Sequence, residues 1–293
     1  MGIEMKSEKS DYRVLLPEWK QADPYFNKFS GKLANTRQGV TPPWRVASDD
    51  KRRPAHEMAS TCDALLNIYP NAIEVGTPMG AGGKTVYLML GVLIGLFGTG
   101  CIGYLAVLAL LKIPVFGVFM SVATVPFFLF AVFCLRAALF SPRDLPVLFN
   151  RKDRSVSFIP YVPPPFWRFW EKGGAGVVRT RAWDDVKVRS YKWTQFTGAA
   201  ARESYFLSLL WGEASNPRSC AEIVNIGYTG WWEDAMLWRL YEHIRRYMEE
   251  DGPPIPRGEA LRRTGTGKLP TFPAEIIAAA GGAAIKVEEA ANL

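Results

Sequence analysis

Two long uncharged runs in tandem constrain this chain more than any other feature. Residues 85–111 carry no charged side chain for 27 positions, and residues 113–135 carry none for 23. Val86–Leu111 is 26 residues, about 39 Å as a helix against a hydrocarbon core of roughly 30 Å. Lys112-Ile113-Pro114 follows, and proline at the first position of a helix removes only an N–H that was unpaired anyway. Arg136 ends the second run. The pattern predicts a transmembrane helical hairpin over 85–140, with spans 86–111 and 114–136, in preference to a buried hairpin of a soluble core. The mean hydropathy of −0.01 averages this block with plainly polar flanks. A soluble single-domain enzyme is therefore excluded as the starting expectation. Residues 1–20 are charged throughout, so the apolar block is expected to act as the targeting signal itself.

Basic residues near span ends resist translocation and so set orientation. Lys84, Arg136, Arg143, Arg151, Lys152 and Arg154 flank the hairpin on the outside, whereas its turn carries only Lys112. This bias predicts a multi-pass protein of the bacterial inner (plasma) membrane with both termini cytoplasmic. Gly91, Gly95, Thr99 and Gly103 recur every four residues in the first span, and Gly117 and Ser121 repeat the spacing in the second. Small side chains on one helical face permit close backbone approach. The seam is expected to join the two spans to each other, the alternative being a homodimer contact. Pro126 is expected to kink the second span.

The polar flanks divide further. Residues 1–84 read as a cytoplasmic N-terminal region, partly irregular, with a candidate strand near 72–75 able to add to the later sheet. Residues 145–251 read as a cytoplasmic β-rich domain. Val147–Asn150 and Ser155–Ile159 surround the charged turn 151–154, a hairpin signal. Gly176–Ala182, Val186–Lys192, Tyr205–Trp211 and Ala221–Ile226 supply further strands. Over 230–250, Trp232, Met236, Leu240, Ile244 and Tyr247 recur at helical spacing, with Glu242, His243, Arg245 and Arg246 on the other side, the pattern of an amphipathic helix. Gly252-Pro253-Pro254 stops it. Residues 252–293 are rich in Pro, Gly and Ala and are expected to form a mobile tail. The fold class expected is an α+β membrane protein, with a transmembrane hairpin followed by a small antiparallel β domain capped by a C-terminal helix. That element order resembles the pleckstrin-homology-like fold.

Charge and motifs narrow the function. The net charge of +7 divides into +2 before the apolar block, +4 after it and Lys112, too even for a nucleic-acid-binding stripe. Four cysteines without CxxC spacing indicate neither a disulfide framework nor a zinc site. GTPMGAGGKT over 76–85 has Pro78 where a phosphate-binding loop requires glycine. Only two histidines exist. His56 falls in a loop, and His243 is expected at the surface of its helix. No catalytic, cofactor or metal-binding residue is therefore assigned. The candidate contact surface is Arg151, Lys152 and Arg154 together with Phe166, Trp167, Arg168, Phe169, Trp170 and Lys172, which follow three prolines. Such residues suit a folded-back loop, the headgroup layer of a bilayer, or a protein partner.

Leu148-Phe149-Asn150-Arg151, Ala182-Trp183-Asp184-Asp185-Val186 and the Met248…Gly252-Pro253-Pro254 ending give the chain a resemblance over roughly residues 62–257. It resembles an uncharacterised family of bacterial two-span inner-membrane proteins with a domain of unknown function, some encoded at type VI secretion loci. The resemblance implies an immunity or accessory protein that binds a toxin or secretion component, and it implies no catalytic residue. The reading from sequence is thus a non-enzymatic membrane protein presenting a domain for protein binding. The alternatives are an anionic-lipid-surface sensor and, third, a membrane-associated enzyme.

Overall fold

A computed structural model describes residues 13–77, 81–140, 142, 144–162, 174–196, 201–228, 233–263 and 269–290. The strands in chain order are β1 Lys28–Phe29, β2 Arg45–Val46, β3 Leu65–Ile68, β4 Ala72–Val75, β5 Val147–Asn150 and β6 Ser155–Phe158, then β7 Tyr161–Val162, β8 Gly174–Ala175, β9 Arg179–Ala182, β10 Lys187–Phe196, β11 Ala201–Gly212 and β12 Ser219–Ile226. The helices are α1 Arg37–Val40, α2 Ala81–Lys112, α3 Pro114–Phe140, α4 Asp234–Glu249, α5 Ala274–Ala279 and α6 Val287–Ala290.

Period-two alternation gives the longer inner strands of the two large sheets, such as β5, β6, β11 and β12, an inward apolar set. One sheet runs β3-β4-β5-β6-β9 and is antiparallel throughout. The other runs β1-β12-β11-β10-β2, antiparallel except for the parallel β1–β12 pair. A single core cluster takes Ile73, Val147, Phe149 and Val156 from the first sheet, Val188, Leu207 and Leu209 from the second, and Leu237, Trp238, Tyr241 and Ile244 from α4. Aromatic edges and faces lock it: Phe149 meets Trp183 edge-on at 6.0 Å, and Phe158 stacks on Trp211 at 5.5 Å.

Helices α2 and α3 pack on each other through small residues. A Cβ on Gly95 would sit 2.8 Å from the Ala131 Cβ, and one on Gly91 would sit 2.7 Å from the Cys134 sulfur. Gly103 faces Thr124, while Gly117 comes against Leu110 of the first helix. Thr99 and Ser121 turn their hydroxyls back to Gly95 and Gly117 carbonyls. The glycine face of α2 is thus used inside the hairpin and not on a free homodimer surface. The outer faces stay bare: Phe97, Leu111 and Val115 are 74%, 79% and 85% exposed. Exposed apolar surface on this scale marks a membrane or interaction site. Leu88–Lys112 and Pro114–Leu139 are long and apolar enough to cross a membrane.

The hairpin is inserted within a sheet. Strand β4 precedes it and β5 follows it, and the two pair directly, from Ala72 against Asn150 to Val75 against Val147. The two apolar helices therefore form the connection of a β-hairpin.

Four expectations change. Residues 13–77 do not form a separate region ahead of the domain. They contribute β3 and β4 to one sheet and the edge strands β1 and β2 to the other, whose outer face they cover with Phe26 and Phe29. The described part of 252–293 is packed onto the domain: Phe272 and Ala280 are buried, and Ile285 bridges to Ile68. The charged side of α4, expected in solvent, is enclosed, with Glu242, His243 and Arg245 all buried. Residues 51–57 and the tail supply its partners. Met236, read as part of the apolar face, is instead exposed.

Candidate functional site

The domain narrows to a neck where β4 and β5 meet the two helices. The Thr77 hydroxyl donates to the Leu145 carbonyl across the neck. Asp144 is buried and pairs with Arg262 at 2.6 Å. Burial raises the Asp144 carboxyl above its ordinary range, and Arg262 opposes that rise. Gly76 makes room for the pair, since a Cβ there would lie 2.6 Å from the Arg262 guanidinium and 2.9 Å from the Asp144 carboxylate. The Arg262 backbone N–H also donates to Leu65, so the C-terminal segment is stitched to both the neck and β3. Beside the neck, Glu74 is buried and accepts from Asn67 and Tyr69. Burial raises its carboxyl, and the nearby Asp144 charge adds to the effect.

An apolar cleft of about 400 Å³ opens at this end, walled by Leu145, Val147, Phe158, Pro160, Tyr161 and Ile223. Register explains its position. Phe158 pairs with Val147, so β6 ends where β5 leaves the neck. The chain then runs on into the β7–β8 ribbon, in which Val162 pairs with Gly174. Phe166, Trp167, Arg168, Phe169, Trp170 and Lys172 fall between those strands, outside the described residues.

The basic turn of the same candidate surface lies at the other end of the β5–β6 hairpin, beyond Asn150 and Ser155. Its side chains are also engaged. Arg154 binds Asp184 at 2.6 Å and Glu249 at 2.9 Å, and its Nη1 donates to the Met248 carbonyl. Arg151 lies over the Tyr247 ring at 5.0 Å. Lys152 is exposed. The structure thus does not bring this turn together with the strand ends that flank 163–173.

A second, polar groove of about 390 Å³ runs along β9, lined by Thr180, Arg181, Asp184, Lys187, Trp211 and Glu213 among others. Strand β9 ends its sheet, and all four of its side chains are exposed. Arg179 and Arg181 both reach the buried Glu222 of β12, at 2.7 and 2.6 Å. Both cations share one carboxylate, and Lys187 faces Asp184, Asp185 and Glu213 in the same groove, so the edge is densely charged with both signs. Charged residues on an edge strand restrain unwanted pairing while offering a recognition surface.

The remaining perturbed groups serve the fold. Burial opposes charge on Glu242, but hydrogen bonds from Arg245, the Ala55 N–H and Arg246 outweigh it and hold the carboxylate below its usual range. Arg245 also donates to the carbonyls of Lys51 and Arg52. Burial pushes His243 down to about 4, and its Nε2 lies 3.1 Å from the Pro254 carbonyl. His56 is lowered by burial too. Among the described residues no group of three or more His, Cys, Asp or Glu is placed to hold a metal. Sequence reasoning missed the neck pair and the buried α4 network. Its available signal was the charged i, i+3, i+4 set Glu242, Arg245 and Arg246.

Comparison with protein-family models, curated proteins and solved structures gives no match to this chain.

Proposed function

We propose that this chain is a non-enzymatic membrane protein whose α2–α3 hairpin anchors a cytoplasmic β domain that binds another protein. The observation that carries the reading is the hairpin's place between β4 and β5. Strands on either side of the two helices belong to one sheet, so two crossings leave both flanks of the hairpin on one side of the bilayer. The basic bias of those flanks favours the cytoplasmic side. The two β sheets closed by α4 suit a pleckstrin-homology-like domain in element order. Such a domain is a presenting scaffold, and the exposed, charged edge along β9 is its partner-binding candidate. A toxin or secretion component is the partner class that the sequence resemblance suggests.

The experiment has two arms. Protease supplied from the periplasmic side of sealed cells is expected to leave both termini intact, and trimming of either removes the anchor reading. A photo-cross-linker at Thr180 is expected to trap a discrete protein partner, and Arg181→Glu to lower the yield about tenfold. No adduct, together with no protection of cells against a co-expressed toxin, refutes the binding role.

A further inference from the structure

Continuity between the neck, the cleft and the β7–β8 ribbon gives the domain a second contact. We infer that the neck end of the β domain rests in the headgroup layer, and that its apolar cleft and the adjoining exposed side chains of Val162 and Val177 take hydrocarbon from phospholipids of the neighbouring leaflet. The inference rests on the membrane reading above.

Tether length is the first support. Thr77 and Asp144 are fixed to the domain by the Leu145 hydrogen bond and the Arg262 ion pair. Helix α2 starts at Ala81 and α3 ends at Phe140. Each connection is therefore four residue steps, at most about 14 Å when fully extended. The headgroup regions thicken the bilayer from about 30 Å to about 40–45 Å. The apolar span of α3 runs to Leu139, five residue steps from Asp144, whereas that of α2 begins at Leu88, about 10 Å into the helix from Ala81. The α3 tether thus holds the neck end near the bilayer surface and limits swinging of the domain.

Direction is the second. The β6–β9 ladder ends at Phe158 opposite Arg179, and the Gly176 N–H donates to the Pro160 carbonyl just beyond it. Tyr161–Ala175 and Val162–Gly174 continue the pairing. The ribbon thus extends the sheet past the level of Val147, toward the helices.

Surface chemistry is the third. On this extension Val162 is 52% exposed and Val177 84% exposed. The cleft between the ribbon base and β12 is walled by Leu145, Val147, Phe158, Pro160, Tyr161 and Ile223. Its volume falls within the range of pockets that enclose small ligands. Apolar groups left bare at the one end held against the bilayer gain free energy by leaving water for hydrocarbon. The basic turn at 151–154, at the opposite end, takes no part.

The test uses the full chain in nanodiscs of phosphatidylethanolamine and phosphatidylglycerol doped with a phospholipid that carries a photoactivatable diazirine on its acyl chain. Peptides are mapped by mass spectrometry after illumination. Adducts are expected on the two spans and also on peptides covering 159–162 and 174–178, at least fivefold above the level at 151–154. The double substitution Val162→Asp and Val177→Asp, at exposed positions, is expected to remove most adducts on the ribbon while those on the spans persist. Labelled spans with a ribbon no more labelled than 151–154 overturn this inference and leave the anchor standing. Unlabelled spans overturn the anchor itself, and this inference with it.

Discussion

Replacing His243 by glutamine isolates the cost of burying an imidazole under the polar side of α4. Burial lowers its pKa from 6.5 to about 4, with the Glu259 charge and the Pro254 carbonyl opposing only in part. The native pKa is depressed, so between pH 6.5 and 4 the unfolded chain binds more protons than the native one. Stability therefore falls as pH drops through that window. At 1.36 kcal/mol per pKa unit, the full loss is on the order of 3 kcal/mol, of which about 2 kcal/mol is reached by pH 5. Glutamine retains an N–H donor for the Pro254 carbonyl and has no titration. Urea unfolding in mild detergent, followed by tryptophan fluorescence at pH 7 and pH 5, reads the difference. The parent protein is expected to lose about 2 kcal/mol more than His243→Gln between the two pH values. Equal losses refute the reasoning, because the histidine is then not held neutral by the fold. With only two histidines in the chain, an NMR titration checks the same point directly: the His243 ring signals should not move above pH 5.

Two other perturbations probe the anchor and the α4 network. Glu242→Gln leaves Glu250 as the one carboxylate paired with the buried Arg245, and removing one member of such a pair costs about 3–5 kcal/mol. The same urea assay should show it, and a loss under 1 kcal/mol, the level of an exposed pair, contradicts the burial described for this network. Gly95→Leu drives a side chain into the Ala131 backbone and is expected to destabilise the helix pair by about 1–3 kcal/mol in an SDS titration followed by circular dichroism. Gly100→Leu, where a Cβ meets nothing within 4 Å, should be silent. Equal effects from the two count against the described seam.

The elements with strong local signals were readable from sequence. Val147–Asn150 and Ser155–Phe158 carry apolar runs around a charged turn, and the two long uncharged runs mark the two apolar helices. Strands β10 and β11 run longer than expected because their paired ends, such as Thr194 against Glu203, are polar and stabilised by the ladder and not by burial. Two-residue strands such as β1 have no period to detect, and the parallel pairing of Lys28 with Ser219 is not encoded locally. The polar side of α4 looked like a solvated face because charged residues are rarely buried unless paired. Its partners, the backbone of Lys51, Arg52 and Ala55, come from a distant irregular segment. The basic turn and the residues after Pro163 seemed one patch because they are near in sequence. An antiparallel hairpin sends its turn and its open end in opposite directions.

Placing two helices between paired strands also orders events in time. A ribosome releases β4, and all of residues 13–77, before the long apolar stretch and β5 after it. Until translation passes Asn150, β4 has only β3 to pair with, and the edge strand β1 waits for Ser219. Such late, distant pairing is slow and leaves sticky intermediates. Packing of the two apolar helices and maturation of the sheet are therefore coupled: a chain in which the helices fail to fold back on each other cannot bring β5 to β4.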